Sequence, residues 1–366
     1  MDTPVSMTPG PNMQKNNTLA RPQRQSNPIN SLPSLPSSDP GRPRPHLLEM
    51  PPRAITGPAS AILPVASDPS SAWRRAMAQL PLRALALVSP ERAAHVALDM
   101  FCTPAATKGL SSDDRRADGG ASWSTLQVDG NELAICTWGD LATQPYVLLA
   151  HDWSGHALEQ RALVRVLCAA GYAVVAFDQQ GHGRSSGHMA PLPDFICNLL
   201  AVGWRHGRAA AVIGHSLGAA AAALALKHGL EADRAILIAA PADPEEALGR
   251  FAKALGVAAT VRRRMTALLE ANTGVPMDDL QAHRIVPWIG RPALVVHDME
   301  DAEVPWSEGE RYARCWSDAR LLTTSGLGHQ RIIRDPQVLV TCLRFLKGEA
   351  VGERVVSSPN LPYGFA

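Results

Sequence analysis

A chain of 366 residues with 46% hydrophobic and 19% charged residues has ample material for a buried core, which excludes wholesale disorder. Lys and Arg total 35 against 34 Asp and Glu, a net charge of +1, so no global positive excess is present to hold a nucleic-acid backbone. No stretch of about 18 or more strongly apolar residues occurs, since the Ala-rich run 219–226 is short and followed by Lys227 and His228; no membrane span is expected.

Half of the 30 prolines fall before Ser70, mixed with Ser, Asn, Gln and Arg. Such a composition buries too little apolar surface to offset chain entropy, so residues 1–65 are expected to be a disordered tail, with Met50 and Met77 as alternative starts. Residues 1–20 lack the cationic start and continuous apolar core of a secretory signal. Cys102, Cys136, Cys168, Cys197, Cys315 and Cys342 are scattered without a C-x-x-C pair, which suits reduced thiols and a cytoplasmic location.

Over 66–121, apolar residues at helical spacing (Trp73, Met77, Leu80, then Ala93, Val96, Leu98) are interrupted by Pro81 and Pro90, so two short bracing helices and a linker are expected. From Ser122 the pattern changes. Runs 126–128 and 133–136 flank Asp129-Gly130-Asn131, a hairpin signal. Continuous apolar runs follow at 146–150, 172–177, 210–213, 235–239, 293–297 and 321–324, as expected of strands covered on both faces. Helical stretches at 158–170, 194–205, 217–228 and 336–346 alternate with them. The fold class is therefore α/β, with a doubly wound, mostly parallel eight-stranded sheet over 122–348 and a C-terminal tail over 349–366. The interval between the sixth and seventh strands is too long for a simple crossover, so 241–290 is expected to form a small helical lid. Its Phe251, Leu255, Val257, Met265, Leu268 and Leu269 offer an acyl-pocket wall, with packing of the lid's own helices as the competing explanation. Arg262-Arg263-Arg264 reads as a solvated basic face.

The sharpest chemical signal is Gly214-His215-Ser216-Leu217-Gly218, between a strand and an Ala-rich helix. A nucleophile on a tight strand-to-helix turn needs small residues two before and two after it, and the helix N-terminus behind Ser216 aims backbone N–H groups at any anion formed there. A serine hydroxyl needs a base, and the base an orienting acid. Downstream lie the carboxylates of Asp298, Glu300 and Asp301 in a loop past a strand, and Gly326-Leu327-Gly328-His329 past the last strand.

These motifs, with His151-Asp152-Trp153-Ser154-Gly155 and Asp178-Gln179-Gln180-Gly181-His182-Gly183-Arg184-Ser185, make 122–348 resemble a serine hydrolase of the α/β-hydrolase superfamily, of an esterase- or lipase-like kind. The resemblance implies Ser216 as nucleophile, His329 as general base and acid, and Asp301 as the residue that holds the imidazole, with Asp243 after the sixth strand as the alternative acid. It implies an oxyanion hole from the backbone N–H groups of Leu217 and Trp153, no cofactor and no metal, and a small-molecule acyl ester as substrate. Asp152 stands where the resemblance expects glycine, and its carboxylate is expected to point away from the hole. His151 and His182 are expected to hold their loops by hydrogen bonds. The dipeptides His151-Asp152 and His297-Asp298 evoke metal ligands, but no H-x-H, H-E-x-x-H or Cys cluster accompanies them. Amide, thioester or carbon–carbon cleavage, acyl transfer, and a non-catalytic receptor on the same scaffold are the competing functions.

Overall fold

The computed structural model describes residues 80–104 and 120–355, and the expected tail over 1–65 lies outside the described residues. Asp129 and Gly130 both take positive φ, 46° and 80°, the backbone of a tight hairpin turn. They join β1 (Ser122–Val128) to β2 (Asn131–Trp138) in antiparallel register. The remaining strands are β3 (Tyr146–Ala150), β4 (Ala173–Phe177), β5 (Ala211–His215), β6 (Ala235–Ile238), β7 (Ala293–Asp298) and β8 (Ala319–Thr324). They run parallel to one another, with β2 antiparallel beside β4, in the order β1-β2-β4-β3-β5-β6-β7-β8.

The longer helices that accompany the sheet are α1 (Pro90–Cys102), α2 (Arg161–Ala169), α3 (Leu192–His206), α4 (Leu217–Lys227), α5 (Pro244–Leu255), α6 (Ala259–Thr273), α7 (Trp306–Cys315) and α8 (Pro336–Leu346). Successive strand residues face opposite cores: Leu148, Ala150 and Val212 pack with Phe195 and Leu199 of α3 and with α4, whereas Val147, Leu149, Ala211 and Ile213 pack with Leu163 and Leu167 of α2 and Phe345 of α8. Both faces are covered, which is why these strands read as unbroken apolar runs. Because β4 and β5 lie on opposite sides of β3, the loops leaving β3 and β5 diverge where the strand order reverses. Open α/β sheets bind ligands in that crevice.

The described N-terminal part departs from its expected helix boundaries. Residues 80–88 are helical through Pro81, so Pro81 does not end a helix there. Ser89 then caps α1 by accepting the Arg92 N–H at 3.4 Å. Leu82, Ala93, Ala94 and Ala97 form a separate core with Leu248, Ala252, Leu255, Val261 and Met265 of α5 and α6. Phe251 joins it, its ring 5.2 Å from that of Phe101. The two pocket-wall candidates Phe251 and Leu255 thus pack the insertion onto the N-terminal helices. Arg264 reaches Glu91 at 3.1 Å and Arg262 reaches Glu245 at 3.5 Å, so these two cations of the basic run sit in partly solvated ion pairs.

No helix was expected between β7 and β8, yet α7 is there. Few apolar residues mark it, because its buried side is made by Glu308, Gly309, Tyr312 and Ala313. Any Cβ at Gly309 would run into the His297 ring, so glycine is what lets α7 lie so close to β7. Glu308, raised in pKa by burial, accepts the Ala242 N–H at 2.8 Å and the Asp243 N–H at 3.4 Å and pairs with Arg250, fixing the start of the insertion. Residues 349–355 continue the fold, with Glu353 and Leu321 exchanging two backbone hydrogen bonds of 2.7 Å.

Candidate active site

Ser216 sits between β5 and α4 with φ 51° and ψ −122°, a conformation that side chains rarely adopt. The two flanking glycines have distinct steric reasons. A Cβ at Gly214 would lie under 3.0 Å from the Ala219 backbone, and one at Gly218 under 3.0 Å from the carbonyl oxygens of Ala150 and His151. The first lets α4 turn back over β5; the second presses the N-terminus of α4 against the end of β3. Between them is the buried run Ala219–Ala223, small enough for the helix to lie close on the sheet.

The loops after β7 and β8 bring Asp301 and His329 together. Nδ1 of His329 is 2.7 Å from Asp301 Oδ2, and both residues are buried. The other carboxylate oxygen, Asp301 Oδ1, accepts the Glu303 and Val304 N–H groups at 2.9 Å each. His297 Nε2 donates to the Val304 carbonyl at 2.9 Å and lies 3.5 Å from Asp301 Oδ2. Burial opposes ionisation of Asp301, but the His297 and His329 hydrogen bonds, the His329 charge and the backbone N–H donors outweigh it, so its pKa lies well below the usual carboxylate range. Burial likewise works against a charged His329, yet Asp301, then Glu303 and Asp152, hold its pKa above the ordinary imidazole value.

The neighbouring carboxylates do other things. Asp298 accepts from Thr324 Oγ1 at 2.7 Å and from the backbone of Glu300 and Leu327 at 3.0 Å each, tying the β7 and β8 loops together. Glu300 accepts from Ser325 Oγ at 2.9 Å. Asp243 caps α5, accepting the Glu245 and Glu246 N–H groups at 2.9 and 3.3 Å, and takes Gln281 Nε2 at 3.1 Å. The imidazole of His329 therefore meets Asp301 rather than Asp243.

On the β3 side, His151 Nδ1 donates to the Asp152 carbonyl at 2.7 Å and Nε2 accepts the Gln179 N–H at 2.9 Å, which fixes a neutral tautomer. His182 does the same between the Gln180 carbonyl and the Ser154 N–H, at 2.9 and 3.0 Å. Burial pushes His151 down to about 4 and His182 down to about 3, so both bridge loops as uncharged groups. The N–H groups of Trp153 and Leu217 donate no hydrogen bond among the described residues, and Leu217 follows Ser216 directly in the chain.

Two features were not legible as site residues. Glu303 Oε2 lies 3.8 Å from His329 Nε2, the imidazole nitrogen left over after the bond to Asp301. His215 is the other. Its ring centroid is 5.0 Å from that of His329, and its Nε2 donates to the His329 carbonyl at 2.9 Å. A histidine beside Ser216 reads in sequence as one more residue of the turn, and only the return of the chain after β8 gives it a partner.

A protein-family profile described as serine aminopeptidase, S33, matches residues 142–323. Among solved structures, Lip1 from Acinetobacter baumannii AYE is 17% identical with a TM-score of 0.50, covering 64% of this chain and 94% of its own. VinJ is 16% identical with a TM-score of 0.50, covering 62% and 98%. The 2-hydroxy-6-oxo-6-phenylhexa-2,4-dienoate hydrolase of Rhodococcus sp. strain RHA1 is 16% identical with a TM-score of 0.48, covering 63% and 99%. No curated protein matches the chain in sequence. Among the described residues no helix is long and apolar enough to cross a membrane. With the eight-stranded sheet order and the profile match over residues 142–323, the likeness shows that this chain has the α/β-hydrolase fold.

Proposed function

We propose that the protein is a cofactor-independent serine hydrolase that cleaves a carboxylic ester of a small molecule through an acyl-enzyme. The observation that carries this reading is the 2.7 Å contact of Asp301 with His329 Nδ1 on the loops beside a Ser216 held at φ 51°. Because Nδ1 donates to Asp301, Nε2 is the lone pair available to take the Ser216 proton. The serine oxygen then bonds to the substrate carbonyl carbon, and the carbonyl oxygen becomes an anion held by the Leu217 and Trp153 N–H groups. Collapse breaks the ester bond, the imidazolium returns its proton to the leaving alkoxide, and an acyl-Ser216 remains. Water, deprotonated by the same imidazole, releases the acid. The six cysteines form no disulfide among the described residues, which supports a reducing, cytoplasmic setting.

Cleavage of an amide at the same serine is the second reading, favoured by the description of the matched family profile. A panel of p-nitrophenyl esters of increasing chain length, run beside amide and thioester analogues, separates the two. Labelling by a fluorophosphonate tests both: the wild type is expected to label and Ser216→Ala to remain unmodified, whereas equal labelling of the two proteins removes Ser216 from the nucleophile role.

A further inference from the structure

Asp152, His215 and Gln330 are each the chain neighbour of a residue in the proposed mechanism: Trp153, Ser216 and His329. They converge. Asp152 Oδ2 accepts Gln330 Nε2 at 3.0 Å and lies 3.6 Å from His215 Nδ1, while His215 Nε2 donates to the His329 carbonyl at 2.9 Å. Asp152 and His215 are buried, at 5% and 1% exposure. Room for the carboxylate comes from Gly155, where any Cβ would collide with Asp152 Oδ1.

We infer that Asp152, His215 and Gln330 form a positioning ring, buried at Asp152 and His215 and exposed at Gln330, that locks the oxyanion-hole loop, the nucleophile turn and the general-base loop into one frame. The inference rests on the serine-hydrolase reading above. None of the three touches the reacting atoms. Each holds a backbone whose next residue does, so the ring sets the angle at which Ser216, His329 and the Trp153 N–H meet. A misplacement of about 1 Å costs on the order of 100-fold in rate.

The chemistry at the His215–Asp152 contact is specific. With Nε2 donating to His329, Nδ1 of a neutral His215 carries a lone pair, and it faces a carboxylate oxygen without a hydrogen-bond partner. One proton on either atom turns this opposition into a hydrogen bond, and Oδ2 then binds both of its neighbours. Asparagine at 152 reproduces the ring with reversed polarity: its Nδ2 donates to His215 Nδ1 and to the oxygen of a Gln330 amide turned over. Alanine at 152 removes the acceptor of Gln330 and the carboxylate facing His215 Nδ1, leaving His215 held only by its bond to the His329 carbonyl.

The test measures the inactivation rate and affinity of a fluorophosphonate, together with kcat and KM for p-nitrophenyl butyrate. Asp152→Ala is expected to lower the inactivation rate and kcat by about 10-fold or more with probe affinity and KM within about threefold, because alignment matters more in the transition state than in binding. Asp152→Asn is expected to keep at least about half the wild-type rate. Gln330→Ala should cost less, and Asp152→Ala with Gln330→Ala should be no slower than Asp152→Ala alone, since one ring is broken once. Should Asp152→Ala fail to fold, Asp152→Asn and Gln330→Ala still decide: an Asn variant slowed by 10-fold, or a Gln330→Ala variant at full rate, overturns the ring. So does an Asp152→Ala variant as fast as the wild type. A wild type that never labels at Ser216 overturns the hydrolase reading itself, and the ring with it; labelling at Ser216 with insensitive ring variants overturns the ring alone.

Discussion

His329 and Asp301 lie 28 residues apart in the chain and 2.7 Å apart in space, across the ends of two adjacent parallel strands. Asp301 is a better partner for an imidazole than its neighbours because its other oxygen is already satisfied by two backbone N–H groups, which holds the carboxylate still. Asp298 and Glu300 spend their oxygens on the loop itself.

Replacing Ser216 or His329 by alanine is expected to remove turnover by on the order of 10⁴ or more, with the fold kept, because a nucleophile and its base act as a unit. Steady-state ester kinetics and circular dichroism on both variants check this. More than about a tenth of wild-type activity in either would sink the assignment.

For Asp301→Asn the expected loss is on the order of 10³ to 10⁴, through the wrong tautomer of His329. By contrast, Asp243→Ala should leave kcat nearly unchanged and cost about 1 kcal/mol of stability, the usual value of a lost helix cap. Chemical denaturation and kinetics on the two variants together distinguish the roles, and an inactive Asp243→Ala beside an active Asp301→Asn reverses them.

In the proposed mechanism His329 must be neutral to take a proton, so kcat/KM is expected to fall as pH drops through its titration. Asp301, Glu303 and Asp152 outweigh burial and raise that titration, which places the acid limb above the ordinary imidazole value. The ring of His215 is the other titratable group beside it. Glu303→Gln removes one of the raising charges, so its acid limb should move to lower pH. A pH profile of kcat/KM for the variant that superimposes on the wild type would show that the 3.8 Å approach of Glu303 is not felt.

Leu255 is 4% exposed and packs, like Phe251, in the core shared by the insertion and the N-terminal helices. Leu255→Ala is expected to cost about 2–5 kcal/mol, the range for emptying a buried leucine site, while leaving the acyl-length preference where it was. Phe251→Ala should also lower the melting temperature. If either variant shifts the preferred chain length across the ester panel without a fall in melting temperature, the residue lines the pocket after all.

Most of the elements and the tight turn at Ser216 are legible in the amino-acid sequence, because these rest on local physics. Runs such as Tyr146–Ala150 and Ala293–Asp298 are apolar throughout since both faces are covered, and Asp243-Pro244 and Asp335-Pro336 carry their helix starts in two adjacent residues. Gly214 and Gly218 mark a tight turn in any order of strands. The α7 helix stayed hidden because its buried side includes a glutamate and a glycine, whose reasons lie on β7 and the insertion rather than in its own periodicity. The partners of Asp152 were equally out of reach. A carboxylate beside a tryptophan and a histidine beside a serine have no local reason to pair, and only the strand order, which sets the ends of β3 and β5 side by side and returns the chain after β8 to them, makes their contact.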